Sequence, residues 1–118
     1  TMDVDIIAKE IQKGWENKQI TFHNDKMHMI SVFMTLDDGT GKVQEFIGHT
    51  GILVNDDDKY LFIEKLAFQL PYQVMEFNSR REVNDYLMGY YDDDTSGLIA
   101  KPVIFEDNHV MDEYRPVK

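Results

Sequence analysis

"FIGHTGILVNDDDKYLFIEK", residues 46–65, reads as two β-strands joined by an acidic turn. Residues 46–54 are apolar or small except for His49, the one ionisable side chain of the run. Gly48 and Gly51 fence it, and glycines in a strand allow close approach of backbone or ligand. The turn residues 55–59 are followed by a second apolar run, 60–68. If the loop is the pair Asp56–Asp57, Asn55 pairs with Asp58. If it is the four residues 55–58, Val54 pairs with Lys59. Both registers set His49 directly opposite Glu64, with Cβ atoms about 5 Å apart on one face. A three-residue loop would bring Lys65 there instead, a like-charged neighbour for a protonated histidine. The even loops are therefore expected.

Outward from this hairpin, residues 27–36 are β-branched and apolar on both parities, the mark of a central strand covered on both faces. "DDGTGK", 37–42, is a turn. Pro71 restarts the chain as the strand 72–77. Residues 3–18 place Val4, Ile7, Ile11 and Trp15 on one helical stripe, with Asp3 or Asp5 as cap. Residues 78–92 form a second helix, opened by Ser79 and Glu82 at capping-box spacing, with Val83, Tyr86, Leu87 and Tyr90 on its apolar face. Residues 98–105 suit a further strand, placed at an edge or bulge by Pro102, and the tail reads as irregular. The expected fold is a single α+β domain over residues 1–118, an antiparallel meander flanked by helices.

The 118 residues carry 42% hydrophobic side chains, enough for one core. A net charge of −10 repels phosphate backbones and disfavours nucleic acid as a partner. No apolar run reaches membrane-spanning length, and residues 1–20 do not read as a signal peptide. The absence of cysteine excludes disulfides and any thiol nucleophile supplied by these residues.

A histidine beside a carboxylate has a chemical use. The carboxylate fixes the imidazole tautomer, and the imidazole can then deprotonate a nucleophile. The alternative is a solvated cross-strand pair with no chemistry. Ser31 and Thr50 are the nearest hydroxyls by sequence, but strand parity turns Thr50 to the face opposite His49. Gln73, on the third of the meander strands, could contribute an amide to the site but reads as an ordinary surface residue. His23, His28 and Asp25 lack the rigid three-ligand spacing of a zinc centre and read as scattered surface groups. The runs 56–58 and 92–94 lack calcium-loop spacing and read as solvated turns. No metal or cofactor is expected.

"GHTGILV", a turn and "YLFIEK" resemble the core of the NlpC/P60-type, papain-like cysteine hydrolases. The resemblance implies His49 as general base and Glu64 as its orienting residue, with the nucleophilic cysteine on a helix outside these residues. "FIGHTGILV", "LFIEKLAFQLPYQVMEF", "NDYLM" and "YRP" further resemble the C-terminal half of a bacterial family found largely in Gram-positive species, often as secreted lipoproteins. That likeness runs from about Val4 to Pro116. It implies a piece of a longer extracytoplasmic, cell-surface protein acting on peptide or cell-wall amides. An N-terminal half would then be its partner, and an exposed apolar surface would mark the contact or be covered by homodimerisation. A non-catalytic structural or ligand-binding module is the competing expectation.

Overall fold

The computed structural model describes residues 3–18, 25–37, 39–93 and 100–117; His23 and Asp94 lie outside them. Its elements are α1 (Val4–Asn17), β1 (Met27–Asp37), β2 (Val43–Asp56), β3 (Lys59–Glu64), β4 (Gln73–Phe77), α2 (Arg80–Tyr91), β5 (Val103–Glu106) and β6 (His109–Val110). All six strands form one antiparallel sheet in the order β4-β3-β2-β1-β5-β6. The fold is α+β, a meander with one helix on each face.

β1 is central because its two parities are both apolar. Ile30 and Val32 join Leu53, Phe62 and Ile104 beneath α2, whose Val83, Leu87 and Met88 are fully buried. Burial of each such side chain contributes about 1.5–3 kcal/mol. On the other face Phe33, Val103 and Phe105 meet Ile7, Ala8 and Ile11 of α1. Trp15 lies edge-on to Phe33 and Phe105, at 5.5 Å from each.

The helix ends follow their caps. Asp3 accepts from the amides of Asp5 and Ile6. Ser79 Oγ accepts from Glu82 N, while Glu82 reaches back one residue further than a capping box requires, to Asn78 N. The C-terminal part departs from expectation. Pro102 precedes β5 rather than marking an edge within it, since β5 lies between β1 and β6. The tail is also not wholly irregular. Asp107 adopts φ 54°, a conformation Asp tolerates, and turns the chain into β6.

The central hairpin forms, but its register differs from expectation. The loop is Asp57–Asp58, with Asp57 at φ 53°, so Asp56 pairs with Lys59 and Gly51 with Glu64. Three consecutive aspartates offer nearly the same turn chemistry, and the fold turns one residue later. Moving a turn centre by one residue shifts every pairing by two, which keeps each side chain on its face. Glu64 is thus the diagonal rather than the direct neighbour of His49.

Candidate functional site

β2 is interrupted immediately before His49. Val32 pairs with His49 and Phe33 with Ile47, leaving Gly48 as the extra residue of a β-bulge. A bulge bends the strand and re-aims the next side chain. The two glycines leave room for this packing. A Cβ on Gly48 would lie 2.8 Å from Met34 Cγ, and one on Gly51 would lie 2.5 Å from Phe62 Cζ. Phe62 therefore fills the space left by Gly51. With no side chain on Gly51, Glu64 leans across that position toward His49.

His49 Nε2 donates to Glu64 Oε1 at 2.7 Å. The Glu64 side chain has no exposed surface, and that of His49 is 9% exposed. Glu64 Oε2 accepts from Gln73 Nε2 at 3.0 Å and from the hydroxyl of Tyr86. The Gln73 amide also donates to Tyr86 Oη at 3.3 Å. A buried carboxylate needs such partners, and here three donors from β2, β4 and α2 converge on it. Burial, followed by the hydrogen bond to Glu64, holds the Tyr86 phenol protonated well above the usual tyrosine range. Tyr91 stacks on the imidazole at 5.1 Å and 25°. Burial and the Glu64 charge push its phenol up to about 12.

The structure thus brings His49 and Glu64 together and adds three residues the sequence reading left aside. Gln73 is no ordinary surface residue. Tyr86, read as part of the apolar helix face, and Tyr91 reach the pair from α2 at i and i+5, and the run of tyrosines in "YLMGYY" was the available signal. Thr50 pairs with Ser31 on the opposite face. Ser31 is fully buried, its hydroxyl without a hydrogen-bond partner, and neither hydroxyl faces the imidazole. A hollow of about 530 Å³ on that opposite, α1 side is lined by Ile47, Thr50, Ile52, Ile63, Lys65 and Tyr72. Gly48, His49, Gly51 and Glu64 also border it, and the His49 and Glu64 side chains are 9% and 0% exposed. An exposed apolar strip is present there too, at Ile47, Ile52, Tyr72 and Val74, away from the imidazole.

His28 is not a scattered surface group: it is held between Asp107 and the Asp25 carbonyl. Asp92 is likewise buried and paired with Lys101 at 3.0 Å rather than solvated. Among the described residues no group of three His, Asp or Glu is arranged to hold a metal ion, and no helix is long and apolar enough to cross a membrane.

Over residues 1–111 the sequence matches the profile of a family described as "Domain of unknown function (DUF4300)". No curated protein and no solved structure matches it. The chain belongs to the DUF4300 family.

Proposed function

We propose that this DUF4300 domain is the base-bearing half of a hydrolase of the papain-like, NlpC/P60 kind. His49 is the general base and Glu64 its orienting residue, and the nucleophilic cysteine is supplied from outside these residues. The observation that carries the reading is the state of Glu64. It is fully buried, gives one oxygen to His49 Nε2 at 2.7 Å, and has the other taken by Gln73 and Tyr86. A carboxylate saturated in this way accepts only, so Nε2 carries a hydrogen and Nδ1 is the nitrogen that takes up a proton. A thiol delivered to Nδ1 from the α2 side, beside Tyr91, would lose its proton to the ring. The thiolate would then attack the carbonyl carbon of an amide, with the imidazolium returning the proton to the leaving nitrogen. Peptide or cell-wall amides at the cell surface are the proposed substrates, and the remainder of a longer protein is the proposed partner.

The near-complete burial of His49 under Tyr91 supports a second reading, in which the network is a structural fastening of α2 to the sheet. One experiment separates the two. In the longer gene product that contains this chain, iodoacetamide alkylation of its cysteine is expected to slow at least tenfold in His49→Ala. A gene product without cysteine, or a cysteine whose reactivity ignores His49, overturns the enzymatic reading. The 118 residues alone are expected to hydrolyse no amide, and turnover abolished by His49→Ala would contradict a nucleophile outside them.

A further inference from the structure

A second histidine lies on the same sheet face, near the other end of α2. His28 Nδ1 is 2.6 Å from Asp107 Oδ2, and Nε2 is 3.0 Å from the main-chain oxygen of Asp25. A carboxylate and a carbonyl both accept, so satisfying the two contacts together requires a hydrogen on each ring nitrogen. Only the imidazolium provides that.

The surroundings are built for the same charge. Glu106 Oε2 lies 3.7 Å from His28 Nδ1. Glu106 is 4% exposed and held by Arg80 through two hydrogen bonds, Nε to Oε1 at 2.6 Å and Nη2 to Oε2 at 3.0 Å. Arg80 also donates to Tyr60 Oη at 3.2 Å and lies over its ring. Asp107 Oδ1 accepts from Met29 N, and Asp107 N donates to Met29 O, each at 2.8 Å. The groups around the imidazole are thus Glu106 at the end of β5, Asp107 in the β5–β6 turn, Asp25 before β1 and Arg80 of α2. Tyr60 of β3 backs Arg80, and His109 of β6 pairs across from Glu106. Two carboxylates face two cations only while His28 is protonated.

We propose that His28 is a proton-operated clasp that fastens the β5–β6 turn to the start of β1, closed when the ring is charged and loosened when it is neutral. Neutral His28 keeps one N–H for two acceptors and leaves two carboxylates against one guanidinium. Either the Asp25 carbonyl or Asp107 then loses its donor. Burial opposes the charged form, but the Asp107 hydrogen bond and the charges of Glu106 and Asp107 outweigh it, so His28 titrates above 6.5. A raised histidine pKa stabilises the fold fully below the unfolded value. That stability is lost as pH rises through the folded value. The clasp therefore tightens on acidification, and it operates whether or not His49 is a catalytic base.

Residue-resolved NMR titration of the intact domain tests this without any variant. The His28 ring nitrogens are expected to show imidazolium shifts with a midpoint above 6.5, and the Met29 and Asp107 amides to move with that same midpoint. In Asp107→Asn the His28 midpoint should fall by about one pH unit, as expected for loss of an adjacent opposite charge. In His28→Gln the Met29 and Asp107 amides should cease to titrate in that range. A His28 midpoint at or below 6.5, or amides that ignore it, overturns the clasp. Residue resolution assigns the midpoint to His28 itself.

Discussion

The two ends of α2 hold two histidine–carboxylate clusters on one face of one sheet, and they are built to opposite plans. At the C-terminal end the carboxylate is saturated: Glu64 receives His49, Gln73 and Tyr86, with no Lys or Arg among these contacts. At the N-terminal end the histidine is saturated. His28 faces an acceptor from each ring nitrogen, and Arg80 balances the second carboxylate. The pairing of His with an acid therefore says little about role. What matters is which partner has its hydrogen-bonding capacity used up. On the proposed readings, a saturated carboxylate orients a base, whereas a doubly bonded imidazole acts as a fixed cation that pH can remove.

The largest expected effect breaks the N-terminal cluster alone. Arg80→Met keeps the aliphatic stem but leaves Glu106 as a buried, unpaired carboxylate. Removing one member of a buried pair costs about 3 kcal/mol, read by urea unfolding at pH 7. The Arg80 side chain is 19% exposed and that of Glu106 only 5%, so solvent screens the loss little. The His49–Glu64 contact should persist in the same protein, seen as unchanged His49 ring shifts.

The next effect breaks the C-terminal cluster alone. Gly51→Ala sets a methyl 2.5 Å from Phe62 Cζ and 3.0 Å from Ile63 O. Phe62 is completely buried and cannot swing aside, so overpacking should cost about 2 kcal/mol. It should also displace Glu64 from His49, because Gly51 is its direct pairing partner. Gly48→Ala meets instead the flexible, half-buried Met34 side chain and should cost about 0.5–1 kcal/mol. Equal losses for the two substitutions would show that Gly51 does not set the lean of Glu64.

These contrasts also explain what could be read from the sequence. The meander, both helices and the Ser79 cap follow from periodicity and turn chemistry, which act within a few residues. That His49 and Glu64 share a face was legible because strand parity survives a two-residue error in register. The register itself was not legible, since Asp56, Asp57 and Asp58 are nearly equivalent turn residues and nothing local marks the bulge at Gly48. The His28 cluster lay further out of reach. Asp107 is 79 positions from His28, and Arg80 meets Glu106 only after β5 has been inserted beside β1. Gln73 and Tyr86 were hidden for the same reason: each looks ordinary until the sheet and α2 aim both at one buried oxygen.

Tyr86→Phe gives a smaller loss than Arg80→Met or Gly51→Ala, and the sharpest comparison. It removes one donor from Glu64 Oε2 and leaves Gln73 in place, so no buried acceptor is orphaned. The loss should stay near 1.5 kcal/mol, the low end for a hydrogen bond to a charged group. Its pH dependence has a definite sign. The phenol is raised above 10, so the unfolded chain ionises first as pH climbs. Stability is then lost above pH 10, and Tyr86→Phe should weaken that alkaline loss. On the reading that Glu64 orients a base, the variant should also loosen the His49 tautomer, seen as averaging of its two ring-nitrogen shifts. His28, tied to a different carboxylate, should not respond. A variant that loses the 1.5 kcal/mol while His49 keeps its tautomer would mean that Gln73 suffices to hold Glu64 and that Tyr86 merely fastens the helix. One in which His28 also shifts would mean that α2 couples the two clusters, and that they are not two independent designs on one face.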